Sequence, residues 1–279
     1  MFRIKSKKLR HSVSLLAEFF EDVKIRVTEE GWKVRQADRA TVAVIDLLIP
    51  KEDFEMYDFE VEEIDEEIKE GRIEEKLSEE DFEMWQEGDV PESVSEEVKE
   101  VEKELKKEQE KSFGVNVEKL IDFLKTFGNH TTLSIATGDK INIEGDERRF
   151  SLPQKAVSDD RTPETSQLEF ETKLELDKSK IKSIVDEAKK VSDSVVFQTE
   201  GEKVVIEAGD ENTNYERTFE ELIEERGEAK SRFPLDYLKK FTSGLKKNKR
   251  NLSMELANDY PMRISNKNLE FVLAPRVEE

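Results

Sequence analysis

Apolar and polar positions alternate in two similar runs, separated by a stretch with no period. FRIK opens the first run as a short strand. Leu9, Val13, Leu16 and Phe20 then recur at spacings of three and four, which predicts one amphipathic helix over about residues 7–20. VKIRV (Val23–Val27) alternates with period two, and Glu30-Gly31 turns it into WKVRQAD. The run from Val42 to Ile49 is too continuously apolar for a strand with one wet face, so either both faces are covered or one is a binding surface. Val117, Leu120, Ile121, Leu124 and Phe127 mark a second helix, ended at Gly128-Asn129. Three short strands follow, punctuated by Gly138-Asp139 and Gly145-Asp146.

The stretch PQKAVSDDRTPETSQ, Pro153–Gln167, has two prolines and no period, and reads as a connector. Beyond it the pattern restarts. LEFETKLEL alternates from Leu168 to Leu176, and Ile181, Ile184, Val185 and Ala188 give a helix. SVVFQTEGEKVVIEAGD and TNYERTFEEL read as strands. Arg232-Phe233-Pro234 opens a last helix with Leu235, Leu238, Phe241 and Leu245 on one side. TEEGWKVRQAD (Thr28–Asp38) matches TEGEKVVIEAGD (Thr199–Asp210), and TTLSIATGDKINIEGDERRFSLP matches NLSMELANDYPMRISNKNLEFVLAP. Repetition at this length implies a duplicated domain rather than a solenoid of small units. The expected architecture is α+β: a first domain over 1–153, a connecting loop over 154–167 and a second domain over 168–279.

Charge changes this picture in one place. Residues 60–111 hold 23 acidic against 8 basic residues, so this insert carries −15 of the net −21 and the remainder is close to balance. Inside it Ile64, Ile68, Ile73 and Leu77 suggest a helix interrupted at Gly71. Val94, Val98, Val101 and Leu105 suggest a cleaner one, capped by Ser93 or Ser95. Between them EEDFEMW (Glu79–Trp85) nearly repeats KEDFEMY (Lys51–Tyr57). The insert reads as a solvated, partly disordered excursion, or as a partner-binding hairpin anchored by Phe82, Met84 and Trp85.

Candidate chemistry is narrowed mainly by exclusion. The absence of cysteine removes disulfides, thiolate metal sites and cysteine nucleophiles. His11 and His130 are the only histidines, too few for a histidine metal site or triad. The many carboxylates raise a Mg²⁺-dependent enzyme as a possibility, but no spaced acidic motif sits on a glycine-rich or histidine-bearing scaffold. No catalytic residue, metal or cofactor is therefore expected. With no run of about 18 apolar residues and no signal-peptide core at the start, a soluble intracellular protein is expected, without membrane association.

The MFRIK start with its basic helix, QADRATVAVIDLLIP, FGVNVEKLIDFLK, the FSLP ending of the first half, DYPMRI and the terminal LAPRVEE carry a further signal in their order and spacing. Together they resemble the DNA sliding clamps of the proliferating cell nuclear antigen type, most like the archaeal members. The acidic insert departs from that pattern. The resemblance implies a head-to-tail ring, usually a homotrimer, of two-domain subunits with sheets outside and helices lining the hole. Its implied partners are duplex DNA held without sequence preference, DNA polymerase, the clamp loader and other proteins with a clamp-binding peptide. In a cell without a nucleus it would be cytoplasmic and nucleoid-associated. A subunit of a heteromeric or checkpoint-type ring, with the insert setting partner choice, is the alternative.

A ring of that kind needs only weak, mobile phosphate contacts. Basic residues on the polar helix faces would supply them: Lys7, Lys8, Arg10, Lys119, Lys125, Lys178, Lys182, Lys189, Lys190, Lys239, Lys240, Lys246 and Lys247. By resemblance, client peptides enter an apolar pocket between the domains, with Ala37, Val42, Val44, Pro261, Val272, Leu273, Ala274 and Pro275 as lining and Val157 of the connector alongside. Ring closure by edge strands would use Lys140–Arg148 and Asn214–Glu220.

Overall fold

The structure, a computed structural model, describes residues 1–59, 66–87, 94–101, 111–158, 162–201, 203–220, 223–225, 227–245 and 251–276. Before the connector the order is β1 (Phe2–Lys5), α1 (Ser6–Val13), α2 (Leu16–Phe19), β2 (Asp22–Thr28), β3 (Gly31–Ala37), β4 (Ala43–Pro50) and β5 (Phe54–Tyr57). The insert contributes α3 (Glu66–Lys76), α4 (Glu79–Glu87) and α5 (residues 94–101). Then come β6 (Ser112–Asn116), α6 (Val117–Thr126), β7 (Thr132–Ala136), β8 (Lys140–Gly145) and β9 (Arg148–Pro153). After the connector the chain runs β10 (Thr172–Asp177), α7 (Lys178–Ala188), β11 (Ser194–Glu200), β12 (Lys203–Gly209), β13 (Asn214–Glu220) and β14 (Ile223–Glu225). It ends with β15 (Ala229–Pro234), α8 (Leu235–Gly244), β16 (Asn251–Leu256), β17 (Met262–Asn266) and β18 (Leu269–Leu273).

Pairing repeats along with order. β1 lies between β5 and β7 just as β10 lies between β14 and β16, and β2 between β3 and β6 just as β11 lies between β12 and β15. The two halves meet where β18 pairs antiparallel with β4, from Leu269 opposite Leu47 to Leu273 opposite Ala43. That joint fuses strands of both halves into one nine-stranded sheet, flanked by a five-stranded sheet ending in β9 and a four-stranded sheet ending in β13. Helices α1, α2, α6, α7 and α8 pack on these sheets and share a continuous apolar core with them. At the joint Phe241 of α8 and Phe271 of β18 are fully buried and stack with centroids 4.4 Å apart.

Several local expectations change. The first helix is interrupted at Ser14–Leu15, between α1 and α2, where the Ser14 hydroxyl back-bonds to the Arg10 carbonyl, a contact that bends helices. The strand expected from Leu168 pairs only from Thr172. Ahead of it the Leu168 amide turns back to the Thr165 carbonyl, and Phe170 swings out against Tyr260. Arg232–Pro234 closes β15 rather than opening α8, because Pro234 keeps an extended backbone in register with Ser194.

In the insert, α3 runs unbroken through Gly71, where a helical glycine costs only about 1 kcal/mol. EEDFEMW forms α4, not a hairpin, whereas KEDFEMY forms a short 3₁₀ turn and β5. Phe82 and Trp85 stack 5.7 Å apart and pack, with Leu77 and Val98, on buried Ile73 and Val101. Ile64, Ser93 and Leu105 lie outside the described residues.

Among the described residues this small cluster shares no member with the main core. Replacing residues 61–110 with a short turn should therefore leave a single cooperative thermal transition, measured by calorimetry. Loss of that transition would show that the insert's helices belong to the main folding unit.

Candidate functional site

Among the described residues four longer helices form one layer, with α1 packed on α6 and α7 on α8, and the short α2 bridges α1 to α8. Each buries an apolar stripe: Leu9 and Val13, then Val117, Leu120 and Leu124, then Ile181, Ile184, Val185 and Ala188, then Leu235, Leu238 and Phe241. Helical period forces the basic residues between these onto the opposite face. Lys7, Lys8, Lys119, Lys125, Lys182, Lys190, Lys239 and Lys240 are exposed there, and Arg10, Lys178 and Lys189 are half-buried. Lys246 and Lys247 lie outside the described residues.

Acidic residues temper this face. Lys8 pairs with Asp53 at 2.7 Å, Lys125 with Asp122 at 2.9 Å, Lys182 with Asp186 and Lys189 with Asp236, whose carboxyl Lys189 holds below its usual range. Arg10 donates to Asn129, and the Lys240 ammonium sits over the Phe19 and Tyr237 rings. The result is a weakly attractive surface rather than a strong anion site. Capping fixes two of its helices: Asn116 accepts from the Lys119 amide at 3.0 Å, and Asp177 from the Lys180 amide at 2.9 Å.

On the other side of the nine-stranded sheet, Ala37, Val44, Val272 and Arg263 form one row across β3, β4, β18 and β17. Val44 and Val272 are 5% and 6% exposed although they point away from the helices. The connector passes here. Thr162 accepts from the Ala37 amide (3.3 Å), and Arg35 donates to the Pro163 carbonyl (2.8 Å) and the Thr165 hydroxyl (3.2 Å). Thr165 donates to Glu270 (3.0 Å), and Arg263 donates to the Thr165 carbonyl (2.7 Å). Thr165 itself is buried, so this polar clasp fastens the connector beside the valine row.

Two expected lining residues are placed elsewhere. Leu273 alternates to the inner face with Phe271 and is fully buried in the core, so it is not a groove residue. Val157 packs on Gly114 of β6, four strands away from β18. The connector approaches so closely there, with the Lys155 amide on the Gly114 carbonyl at 3.0 Å, that a Cβ on Gly114 would fall 1.9 Å from the Lys155 carbonyl oxygen. Pro261, Ala274 and Pro275 remain half-buried along the C-terminal segment, and the Ala274 amide bonds the Val42 carbonyl at 2.8 Å.

The β3–β4 turn is the hub of this region. Asp38 Oδ1 accepts from the Val42 and Ala43 amides, both at 2.8 Å, and Oδ2 from the Ala40 amide at 3.2 Å and the Tyr237 hydroxyl at 2.8 Å. Thr41 takes a left-handed backbone, φ 57°, which is strained for a β-branched residue and which this network holds. Burial and then the Asp38 carboxylate push the Tyr237 phenol up to about 12, so it stays a donor at neutral pH. A cleft of about 1040 Å³ opens beside the turn, lined by Phe19, Gln36, Ala37, Asp38, Thr41, Ser158, Thr162 and Lys240. Sequence reading missed Arg35, Arg263, Thr165 and Tyr237, whose partners lie far along the chain. Asp38 carried a signal, since Asp ahead of a short polar turn commonly bonds its backbone.

Two of the strands that end sheets among the described residues differ in charge character. β9 is one, so the expected edge Lys140–Arg148 is corrected: β8 is paired on both sides, by β7 and β9. Arg148 and Arg149 are exposed on β9, and Phe150 stacks on Phe123 of α6 at 4.5 Å. β13 is the other, with Glu216 and Glu220 exposed. Its inner face meets α7, where Tyr215 donates to Glu187 at 2.7 Å and Lys180 lies 3.8 Å over the Phe219 ring.

Residues 1–186 match the family model described as repair protein Rad1/Rec1/Rad17. A DNA polymerase sliding clamp of Archaeoglobus fulgidus is 28% identical over 284 residues, spanning 96% of this chain and 93% of the relative. DNA polymerase sliding clamp 3 of Sulfurisphaera tokodaii is 26% identical, spanning 94% and 93%. Among solved structures, the Archaeoglobus fulgidus PCNA bound to the C-terminal region of FEN-1 superposes with a TM-score of 0.74 at 21% identity, over 100% of both chains. The PCNA2–PCNA3 complex of Sulfolobus tokodaii gives 0.71 at 22% identity, over 99% of both. These structural likenesses show a shared α+β fold.

The cap of α7 gives a pH-dependent test. The Ser179 hydroxyl and the Lys180 amide hold the Asp177 carboxyl below its usual range. Its contribution is thus full above the ordinary carboxylate pKa and is lost as pH falls through the depressed one. Asp177→Ala should cost about 1 kcal/mol at neutral pH, measured by denaturant titration, and the two proteins should converge in acid. An undiminished gap at low pH would reject the cap.

Proposed function

This chain belongs to the clamp family whose model is described as repair protein Rad1/Rec1/Rad17, and on that footing we propose that it is a DNA sliding clamp, a non-catalytic ring that encircles duplex DNA and tethers replication and repair enzymes. Residues 1–153 and 168–279 serve as its two domains, joined by the 154–167 loop. The observation that carries the reading is a joint made once inside the chain and left open at its ends. Phe241–Phe271 stacks, fully buried, where β18 meets β4, and Phe123–Phe150 is the same pair, at equivalent positions of α6 and β9, only half-buried. The partner that would cover it is a strand equivalent to β4, and β13 is that strand. A basic β9 against a different, acidic strand β13 makes the contact heterologous, which closes rings when the rotation allows. Three subunits is the number carried by the family resemblance.

The helix layer would then face the hole. Its lysines, balanced by neighbouring carboxylates, suit non-sequence-specific contact with DNA phosphates that slides rather than sticks. The outer face would receive clients. One solved neighbour carries the C-terminal region of FEN-1, and a comparable peptide would use Ala37, Val42, Val44, Val272, Pro261, Ala274 and Pro275 beside the clasped connector, adding backbone bonds along the connector and tail. Polymerase and clamp loader would dock in the same way.

A second reading, a subunit of a heteromeric ring, is favoured by the two-clamp complex among the solved neighbours. Both complementary edges on one chain favour self-closure. The solution mass of the chain purified alone separates the two: a stable ring supports the first, a monomer the second.

Reversing Arg148 and Arg149 to Glu should convert rings to monomers in light scattering, and adding Glu216→Arg with Glu220→Arg should restore them. Rings that survive the first change would reject the β9–β13 contact. Reversing Lys7, Lys190 and Lys239 to Glu should leave ring mass unchanged but shorten retention on circular DNA, with the salt slope falling by about 0.9 per lost phosphate contact. Unchanged retention would remove these helices from the DNA-facing surface.

A further inference from the structure

The bond between Tyr237 and Asp38 spans the joint inside the chain, and its two counterparts stand apart at the chain's open edges. Tyr237 is the third residue of α8, and Lys119 is the third residue of α6. Asp38 closes the turn after β3, and Asp210 closes the turn after β12. Asp210 Oδ1 takes the Asn212 and Thr213 amides at 2.9 and 2.8 Å, just as Asp38 Oδ1 takes those of Val42 and Ala43. Those amides, Thr213's first, hold the Asp210 carboxyl below its usual range. Its second oxygen, the one equivalent to the acceptor of the Tyr237 hydroxyl, has no partner among the described residues. Lys119 is exposed, makes no ion pair among the described residues, and has its backbone set by the Asn116 cap.

We infer that in the assembled ring Lys119 of one copy takes the place that Tyr237 occupies inside the chain and pairs with Asp210 of the next copy. This rests on the ring reading above and moves Lys119 from the DNA-facing set to the subunit junction. The substitution has a physical effect. A neutral phenol bonded to a carboxylate is nearly indifferent to ionic strength, whereas an ammonium–carboxylate pair at a junction is screened by salt. The junction between copies is then the salt-responsive version of a joint that is salt-indifferent within each copy.

Sedimentation of the full-length chain at low and high salt tests this. Lys119→Met keeps the helix-forming length of the side chain, and Asp210→Asn keeps an oxygen for the turn amides. Each should raise the protein concentration at half-assembly about fivefold near 0.1 M salt and little at 1 M, and the double variant should be no worse than either alone. Lys119→Tyr should keep the ring assembled and flatten its salt dependence. Assembly indifferent to Lys119→Met, or single effects that multiply in the double variant, would overturn the pair while leaving the ring intact. A wild-type chain that stays monomeric at every concentration would overturn the ring reading and this pair with it.

Discussion

The hydrogen-bonding edge of β4 is closed by β18, and the rest of the architecture depends on that antiparallel joint. A strand edge left open is a template for any other strand, so a folded chain must cover, twist away or use each one. Here one joint fuses strands from both halves into a nine-stranded sheet, brings α8 against α2, and sets the outer row Ala37–Val44–Val272 that the connector lies beside. The same element order, repeated, leaves β9, the counterpart of β18, and β13, the counterpart of β4, at sheet ends among the described residues. The proposed ring follows from extending one rule of pairing past the end of the chain.

Periodicity located nearly every element, because most of them bury one face and their apolar residues must recur at 2.0 or 3.6. The repeat was legible for the same reason. What escaped were features that apolar spacing does not encode. The first helix is interrupted at Ser14–Leu15, beside a side-chain bond that no spacing reveals. Leu168 and Phe170 alternate like strand residues but turn away to contact Thr165 and Tyr260. Leu273 and Val272 are adjacent in an apolar run, and only their alternation about the sheet separates a core residue from a groove residue. The clasp of Arg35, Thr165, Glu270 and Arg263 joins residues about a hundred or more positions apart and leaves no local trace.

The nearly repeated heptapeptide makes the same point from the other direction. KEDFEMY pairs as β5 against β1, where Phe54 and Tyr57 join an aromatic cluster around Phe2 and Trp32. EEDFEMW has no sheet beside it and coils so that Phe82 and Trp85 share one face. Intrinsic preference in such a sequence is weak, and the apolar surface available decides the outcome.

The connector gives the two kinds of joint different fates. Tied at Gly114 and clasped at Thr165, it holds the two halves at an effective concentration in the millimolar range or above, as a short tether does. That tether favours re-formation of the joint inside the chain over its separation. The joint proposed between copies would have no tether and would dissolve on dilution. A ring assembled from such subunits has its breaking points written by chain connectivity, so whatever opens it to admit DNA has to work only at the seams where the polypeptide is not continuous.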